Sequence, residues 1–241
     1  MTRGRATKGS VPLFAVCVLL AGCGGGGAGK PVTTAEPGVL SYGVIGDSYS
    51  NGEGVGMEYA WPTQLALRLT GAGLTTSVVV NNSVTGWTSA QAIESELPEF
   101  ERKKPDVATL QIGVNDWVQG VSADTFRKNF RHLVDAMLAV VGKPEHLICV
   151  TIPDFSVTPD GKNYAHGRDV TAGIASFNKI IEAECAERSV KVVDVFDLSE
   201  AMGDPELTAH DGLHPSAKEL ALWTDRVEPV AQRQWANVSG G

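Results

Sequence analysis

The pattern that most constrains the fold is an alternation of short, continuously apolar segments with longer segments of helical periodicity. The apolar segments predict strands at 39–45, 77–80, 107–112, 147–152 and 190–196. The segments of helical periodicity predict helices at 62–69, 89–102, 123–141, 170–188 and 216–235. Strands that are apolar along their whole length suit a parallel sheet covered on both faces, and alternating helices supply its crossovers. The sequence therefore predicts an α/β fold, a three-layer α/β/α sandwich around a five-stranded parallel sheet.

Length and composition indicate a single packed domain. With 241 residues, of which 43% are hydrophobic and 20% charged, the chain can bury one core of ordinary size. The formal net charge of −8 becomes −11 when the basic segment 1–22 is set aside, because that segment holds three basic residues and no acidic one. An acidic chain repels a phosphate backbone, so nucleic acid is not an expected partner.

The N-terminus has the pattern of an export signal. Basic residues precede an apolar stretch at 11–20, which is too short to span a bilayer and has the length of a signal-peptide core. The stretch ends in LAGC, which resembles the bacterial lipobox, where the cysteine is lipidated and becomes the first mature residue. We therefore expect a lipoprotein signal peptide at 1–22 and lipid attachment at Cys23. An ordinary secretory signal cleaved nearby is the alternative, and both place the protein outside the cytoplasm.

The segment 23–37 separates this signal from the predicted domain at 38–241. It is rich in glycine and has no apolar periodicity, which is typical of a flexible tether. We expect such a tether to join a membrane anchor to the domain, as in a lipoprotein of the cell envelope.

Polar residues gather after the predicted strands. Gly46-Asp47-Ser48 follows the first strand, NNSVTG at 81–86 follows the second, GVND at 113–116 follows the third, and DGLH at 211–214 comes after the fifth. Ligands of open parallel sheets bind beyond the carboxyl ends of the strands. We therefore expect these segments to meet at one edge of the sheet.

The residue types in these segments suit nucleophilic catalysis. A serine hydroxyl needs a base within hydrogen-bond reach, and the base needs an orienting partner. Ser48 is the candidate nucleophile, His214 the candidate base and Asp211 its partner, because Asp211 stands three residues before His214 and a turn can bring the two together. The backbone N–H of Ser48, an N–H of the second segment and the side chain of Asn115 are candidate donors to an oxyanion.

The four segments occur in the order and approximate spacing of the SGNH, or GDSL, hydrolase superfamily, which the chain resembles from about residue 39 to its end. The resemblance implies a flavodoxin-like fold and ester hydrolysis through an acyl-serine intermediate, with no metal or organic cofactor. It makes Ser48 the nucleophile and first oxyanion donor, Asn115 the side-chain donor, His214 the base and Asp211 its partner. Ser83 stands where the family has a glycine, so a backbone N–H is kept while the room beside it changes.

The resemblance leaves the substrate open. Lysophospholipase-like and arylesterase-like members are the most similar, and lipid, lysophospholipid or small acyl esters are the expected substrates. Carbohydrate O-deacetylation and thioester cleavage would use the same residues. Two alternatives belong to another class: a flavodoxin-like binding module, which has no need for Asn115 together with an Asp211–His214 pair, and an inactive surface lipoprotein, which Ser83 leaves open.

The sequence also allows predictions about two cysteines, two histidines and one long loop of the domain. Cys149 and Cys185 are either two buried thiols or a disulfide, which export would permit. His210 and His214 have a spacing seen in metal sites, but the DGLHP sequence does not suit a helix interior, so no metal is expected. The loop 153–167 is long for its place in the fold, and we expect it to select the substrate together with 49–61.

Overall fold

A computed structural model describes residues 38–238, which form one α/β unit around a parallel sheet. The strands are β1 (Leu40–Gly46), β2 (Thr76–Asn81), β3 (Val107–Gln111), β4 (Leu147–Val150) and β5 (Lys191–Val193), and all their pairings are parallel. Their order in the sheet is β2-β1-β3-β4-β5. The predicted fold class is confirmed, and each predicted strand forms within a few residues of its expected bounds.

The helices are α1 (Ser48–Asn51), α2 (Trp61–Gly71), α3 (Ser89–Gln91), α4 (Leu97–Lys103), α5 (Val114–Val118), α6 (Ala123–Val141), α7 (Gly161–Ala165), α8 (Val170–Ala186), α9 (Phe196–Ser199) and α10 (Ala217–Trp235). A π-helical turn, Ala92–Glu96, joins α3 to α4, and 3₁₀ turns lie at Met57–Tyr59, Pro144–His146 and Glu200–Gly203. The five predicted helices all form, although the one expected at 89–102 is divided by the π-helical turn. The short helices α1, α5, α7 and α9 were not predicted.

Two neighbouring residues of β1 show how helices cover both faces of the sheet. The ring of Tyr42 meets the Trp235 ring of α10 at 5.5 Å between centroids. A side chain on the next residue, Gly43, would lie 2.6 Å from the Phe100 ring of α4. Because successive residues of a strand point to opposite faces, α10 and α4 lie on opposite sides of the sheet. This is the three-layer arrangement that continuous apolar strands require.

Cys149 of β4 and Cys185 of α8 are both buried free thiols. The structure therefore has the first of the two arrangements considered for them. None of the helices between residues 38 and 238 combines the length and the apolar character needed to cross a bilayer. The predicted signal peptide at 1–22, the attachment residue Cys23 and the tether at 23–37 lie outside the described residues.

Candidate active site

Ser48 lies at the carboxyl end of β1, where the strand order of the sheet reverses. β1 is paired with β2 on one side and β3 on the other, and in such sheets the reversal point is the usual place for a ligand. The strand ends at Gly46, and Asp47 caps α1 by accepting a hydrogen bond of 3.1 Å from the backbone N–H of Tyr49. Ser48 is therefore the first residue of a helix, held at the edge of the sheet.

His214 and Asp211 form a hydrogen-bonded pair on the loop before α10. The imidazole Nδ1 and the carboxylate Oδ2 are 2.8 Å apart, and Oδ1 accepts from the backbone N–H groups of Leu213 and His214, each at 2.9 Å. Burial would raise the pKa of Asp211, but these hydrogen bonds outweigh it and hold the pKa below its ordinary value. An ionised Asp211 keeps the proton on Nδ1 and leaves Nε2 of His214 as the basic atom.

Gly54 packs closely against the carboxylate of Asp211. A side chain added at Gly54 would lie 2.8 Å from Oδ2 of Asp211, and Gly54 has a φ of +82°. Glycine is the residue that tolerates this backbone conformation. The glycine-rich loop after α1 therefore packs directly against the carboxylate that orients the histidine.

Asn115 lies in the first turn of α5, directly after β3. Its amide nitrogen donates a hydrogen bond of 2.9 Å to the backbone carbonyl of Trp87, which fixes the orientation of the side chain. An amide nitrogen has two hydrogens, so one remains for a second acceptor. The neighbouring Asp116 is buried and binds the backbone N–H and hydroxyl of Ser89, which ties α5 to the start of α3.

Ser48, Asn115 and His214 line one cavity of about 120 Å³. The structure thus brings together the residues predicted as nucleophile, side-chain donor and base. Ser83 does not line this cavity: it borders a neighbouring hollow with Asp211, and its N–H points to the side-chain oxygen of Asn81 at 3.3 Å.

Other residues of the second loop do reach the cavity. Thr85 and Gly86 both line it. Gly86 has a φ of +84°, a left-handed conformation that favours glycine. The glycine at the cavity is therefore the one that ends the NNSVTG segment, three residues after Ser83.

Residues 44–218 match the GDSL-like Lipase/Acylhydrolase family, and this segment contains every site residue described above. The chain belongs to this family. It is accordingly an ester hydrolase, as its resemblance to the SGNH superfamily implied. The family match, the fold and the clustered side chains all agree.

Similar proteins in other organisms are esterases by name. The hydrolase is 26% identical to an arylesterase of Vibrio mimicus over 191 residues, which are 78% of this chain and 85% of the relative. It is 25% identical to esterase TesA of Pseudomonas aeruginosa over 187 residues, again 78% of this chain and 85% of the relative. A crystal structure of TesA superimposes with a TM-score of 0.64 at 24% identity, covering 80% of this chain and 99% of the other.

Tyr49 is a site residue that the sequence did not assign. Its buried ring meets the His214 imidazole edge-on, with 6.0 Å between centroids, and meets the Trp223 indole in the same way at 5.7 Å. The ring therefore supports one face of the histidine while α10 supports the ring. Its position next to Ser48 was the only signal in the sequence, and that signal does not reveal which way a side chain packs.

Two carboxyl groups, those of Glu96 and Asp47, lie buried near the nucleophile with no cationic partner among residues 38–238. Oε2 of Glu96, on the π-helical turn, accepts a hydrogen bond of 3.0 Å from the N–H of Gly46, while Oε1 is buried and has no partner among residues 38–238. Burial raises the pKa of Glu96 to about 8, with the Gly46 hydrogen bond opposing the shift and the charge of Asp47 contributing to it. Burial likewise raises the pKa of Asp47 to about 7, with a contribution from Asp116.

The raised pKa of Glu96 predicts a stability that falls as pH rises. The folded state keeps a proton that the unfolded chain releases near pH 4.3, so the stabilisation present below that pH is lost as pH rises through about 8. Glu96→Gln keeps an oxygen for Gly46 but cannot ionise. We expect this variant to exceed the wild type in melting temperature by a few degrees more at pH 8.5 than at pH 5, given roughly 2–4 °C per kcal/mol at this size.

Thermal unfolding of both proteins across this pH range measures the effect. Glu94→Gln is the matched control, because Glu94 lies on the same turn but is exposed, and its profile should parallel that of the wild type. A Glu96→Gln profile that also runs parallel to the wild type would contradict the buried, protonated state of this carboxyl.

Proposed function

We propose that this hydrolase cleaves carboxylic esters through an acyl-serine intermediate on Ser48. The observation that carries the proposal is the cavity shared by Ser48, Asn115 and His214, with Asp211 bound to the far side of the imidazole. A serine, a histidine and a carboxylate in these positions are what activation of a hydroxyl requires. The arylesterase and esterase names of the relatives support the same activity.

The first half of the reaction transfers the acyl group. Nε2 of His214 takes the proton of the Ser48 hydroxyl as Oγ attacks the ester carbonyl carbon, and the carbonyl π electrons move to oxygen. Asp211 stabilises the imidazolium that forms. The oxyanion then re-forms the carbonyl, the bond to the alcohol oxygen breaks, and His214 gives its proton to the departing alcohol. Water repeats these steps on the acyl-serine and releases the acid.

No hydrogen bond joins Ser48 Oγ to His214 in the described structure, although both residues line the cavity. Such bonds are often long or poorly aligned before a substrate is bound and tighten in the complex. The geometry of the pair His214–Asp211, by contrast, is already complete at 2.8 Å. We infer that substrate binding brings Ser48 Oγ into hydrogen-bond contact with His214, the one contact of the three residues that is not yet made.

Three donors are available for the oxyanion. The backbone N–H groups of Ser48 and Gly86 donate to no acceptor within residues 38–238, and Asn115 has one amide hydrogen to spare. We assign the second-loop donor to Gly86 in place of Ser83, because Gly86 lines the cavity and the N–H of Ser83 already faces Asn81. Removing one such donor costs on the order of 3 kcal/mol of transition-state stabilisation.

Substitution of the two serines separates these assignments. We expect Ser48→Ala to abolish labelling by a fluorophosphonate probe and to lower kcat on p-nitrophenyl acetate by at least about 1,000-fold, because the variant has no nucleophile. Ser83→Ala is the matched control and should keep both the labelling and the turnover within a few-fold of the wild type. Its backbone N–H is unchanged and its buried hydroxyl has no partner among residues 38–238.

Gel detection of the probe and steady-state kinetics measure these outcomes. Equal labelling and equal turnover of Ser48→Ala and the wild type would disprove the nucleophile. A loss in Ser83→Ala as large as that in Ser48→Ala would return Ser83 to the site.

We further propose that the protein is an exported lipoprotein whose Cys23 carries the lipid. The basic start, the short apolar core, the LAGC sequence and the glycine-rich segment that follows support this location. We expect Cys23→Ala to move the protein out of the membrane fraction when cells are fractionated. Cys17→Ala is the matched control, because Cys17 lies inside the apolar core and should leave the distribution unchanged. Retention of Cys23→Ala in the membrane fraction would contradict the anchor.

A further inference from the structure

We infer that the cavity beside Ser48 is an acyl pocket limited to short chains, acetyl to butyryl, and that Tyr164 sets this limit. The inference rests on the proposed function, because it concerns the acyl group that Ser48 would carry. It selects short-chain esters from the substrates that the sequence left open and sets aside long-chain lipids and lysophospholipids.

The size of the cavity gives the first argument. The cavity beside Ser48 is small, with a volume of about 120 Å³. A space of this size suits a short acyl group such as acetyl or butyryl. Pockets that enclose drug-sized ligands are about 300–1,000 Å³, so a long acyl chain would have to leave this cavity.

The lining gives the second argument. Beyond the catalytic residues, apolar side chains form the walls, among them Val114 of α5 and Phe155 of the loop 153–167, both buried. No Asp, Glu, Lys or Arg side chain lines the cavity in the part of the chain described. An unbranched hydrocarbon group therefore gains by entering, whereas a charged acyl group loses its hydration.

Tyr164 of α7 forms the rim of the cavity. It is 43% exposed, so one part of its ring faces solvent while another lines the cavity. Carbon atoms beyond the fourth would meet this ring or pass it into water. They would add little buried apolar area and therefore gain little binding free energy.

Hydrogen bonds hold this wall against the rest of the site. The N–H of Asp160 donates to the carbonyl of Gly212 on the histidine loop at 2.9 Å. At the other end, the guanidinium of Arg168 donates to the carbonyls of Trp117 and Val118 at 2.6 and 2.8 Å and lies over the Trp117 ring. Hydrogen bonds thus join this wall to the histidine loop at one end and to α5 at the other, which keeps the cavity small.

The test compares chain lengths with one leaving group. We expect kcat/KM of the wild type to be highest for p-nitrophenyl acetate or butyrate and at least about tenfold lower for octanoate, because the cavity has no room for the remaining methylene groups of the longer chain. Tyr164→Ala should raise the ratio of octanoate to acetate kcat/KM by about tenfold or more. Leu67→Ala is the matched control, because Leu67 is an exposed apolar residue of α2 away from the cavity.

Each outcome decides a separate point. An octanoate or palmitate optimum in the wild type would overturn the short-chain pocket while leaving the ester hydrolysis intact. A ratio that is the same in Tyr164→Ala, Leu67→Ala and the wild type would overturn the role of Tyr164. Absence of turnover on every ester, together with absence of fluorophosphonate labelling, would instead disprove the proposed function and the inference with it.

Discussion

The parallel pairing of β1 between β2 and β3 is the constraint on which the site depends. Because the three strands run in one direction, the loops that follow them leave the sheet at the same edge. Parallel pairing alone therefore places three segments side by side: the loop with Ser48, the loop with Gly86 and the turn with Asn115. Every residue of β1 and β3 is buried, because helices cover both faces of these strands, as a parallel sheet requires.

Environment divides the carboxyl groups of the site into two kinds. Asp211 accepts hydrogen bonds from two backbone N–H groups and an imidazole, so it stays ionised and orients the base. Glu96 and Asp47 lie deeper, without a cation among residues 38–238, and burial favours their protonated forms. In the proposed mechanism the first kind takes part in the chemistry, while the second lies beneath the turn that carries Ser48. The same functional group serves both purposes because its solvation differs.

Much of this fold could be predicted because a continuous apolar segment indicates a strand buried on both faces, and a long apolar periodicity indicates a helix with one buried face. The four short segments after the strands likewise contain Ser48, Asn115 and His214, which line one cavity, and Asp211, which binds His214. The position of Ser83 outside this cavity depends on loop conformation. The sequence NNSVTG does not reveal that its last glycine, and not Ser83, faces the cavity, because a left-handed turn decides which residue points inward.

The burial of Glu96 was equally invisible in the sequence. In AIESELPEF the glutamates lie among apolar residues, a mixture typical of an ordinary amphipathic helix with a solvated face. A π-helical turn rotates Glu96 beneath Gly46, and such a turn leaves no mark on the residue pattern. The short helices α1, α5 and α7 escaped prediction for a related reason, since four or five residues are too few to show a period.

The central claim is that an acyl group passes through Ser48. Rapid acid quench of the wild-type enzyme during its first turnover of p-nitrophenyl acetate, followed by peptide mass mapping, tests this claim most directly. The structure predicts an acetyl group on the peptide that contains Ser48, formed together with the first equivalent of p-nitrophenol and lost as turnover continues. A stable acetyl group on another residue, or release of p-nitrophenol with no covalent adduct at any quench time, would contradict it.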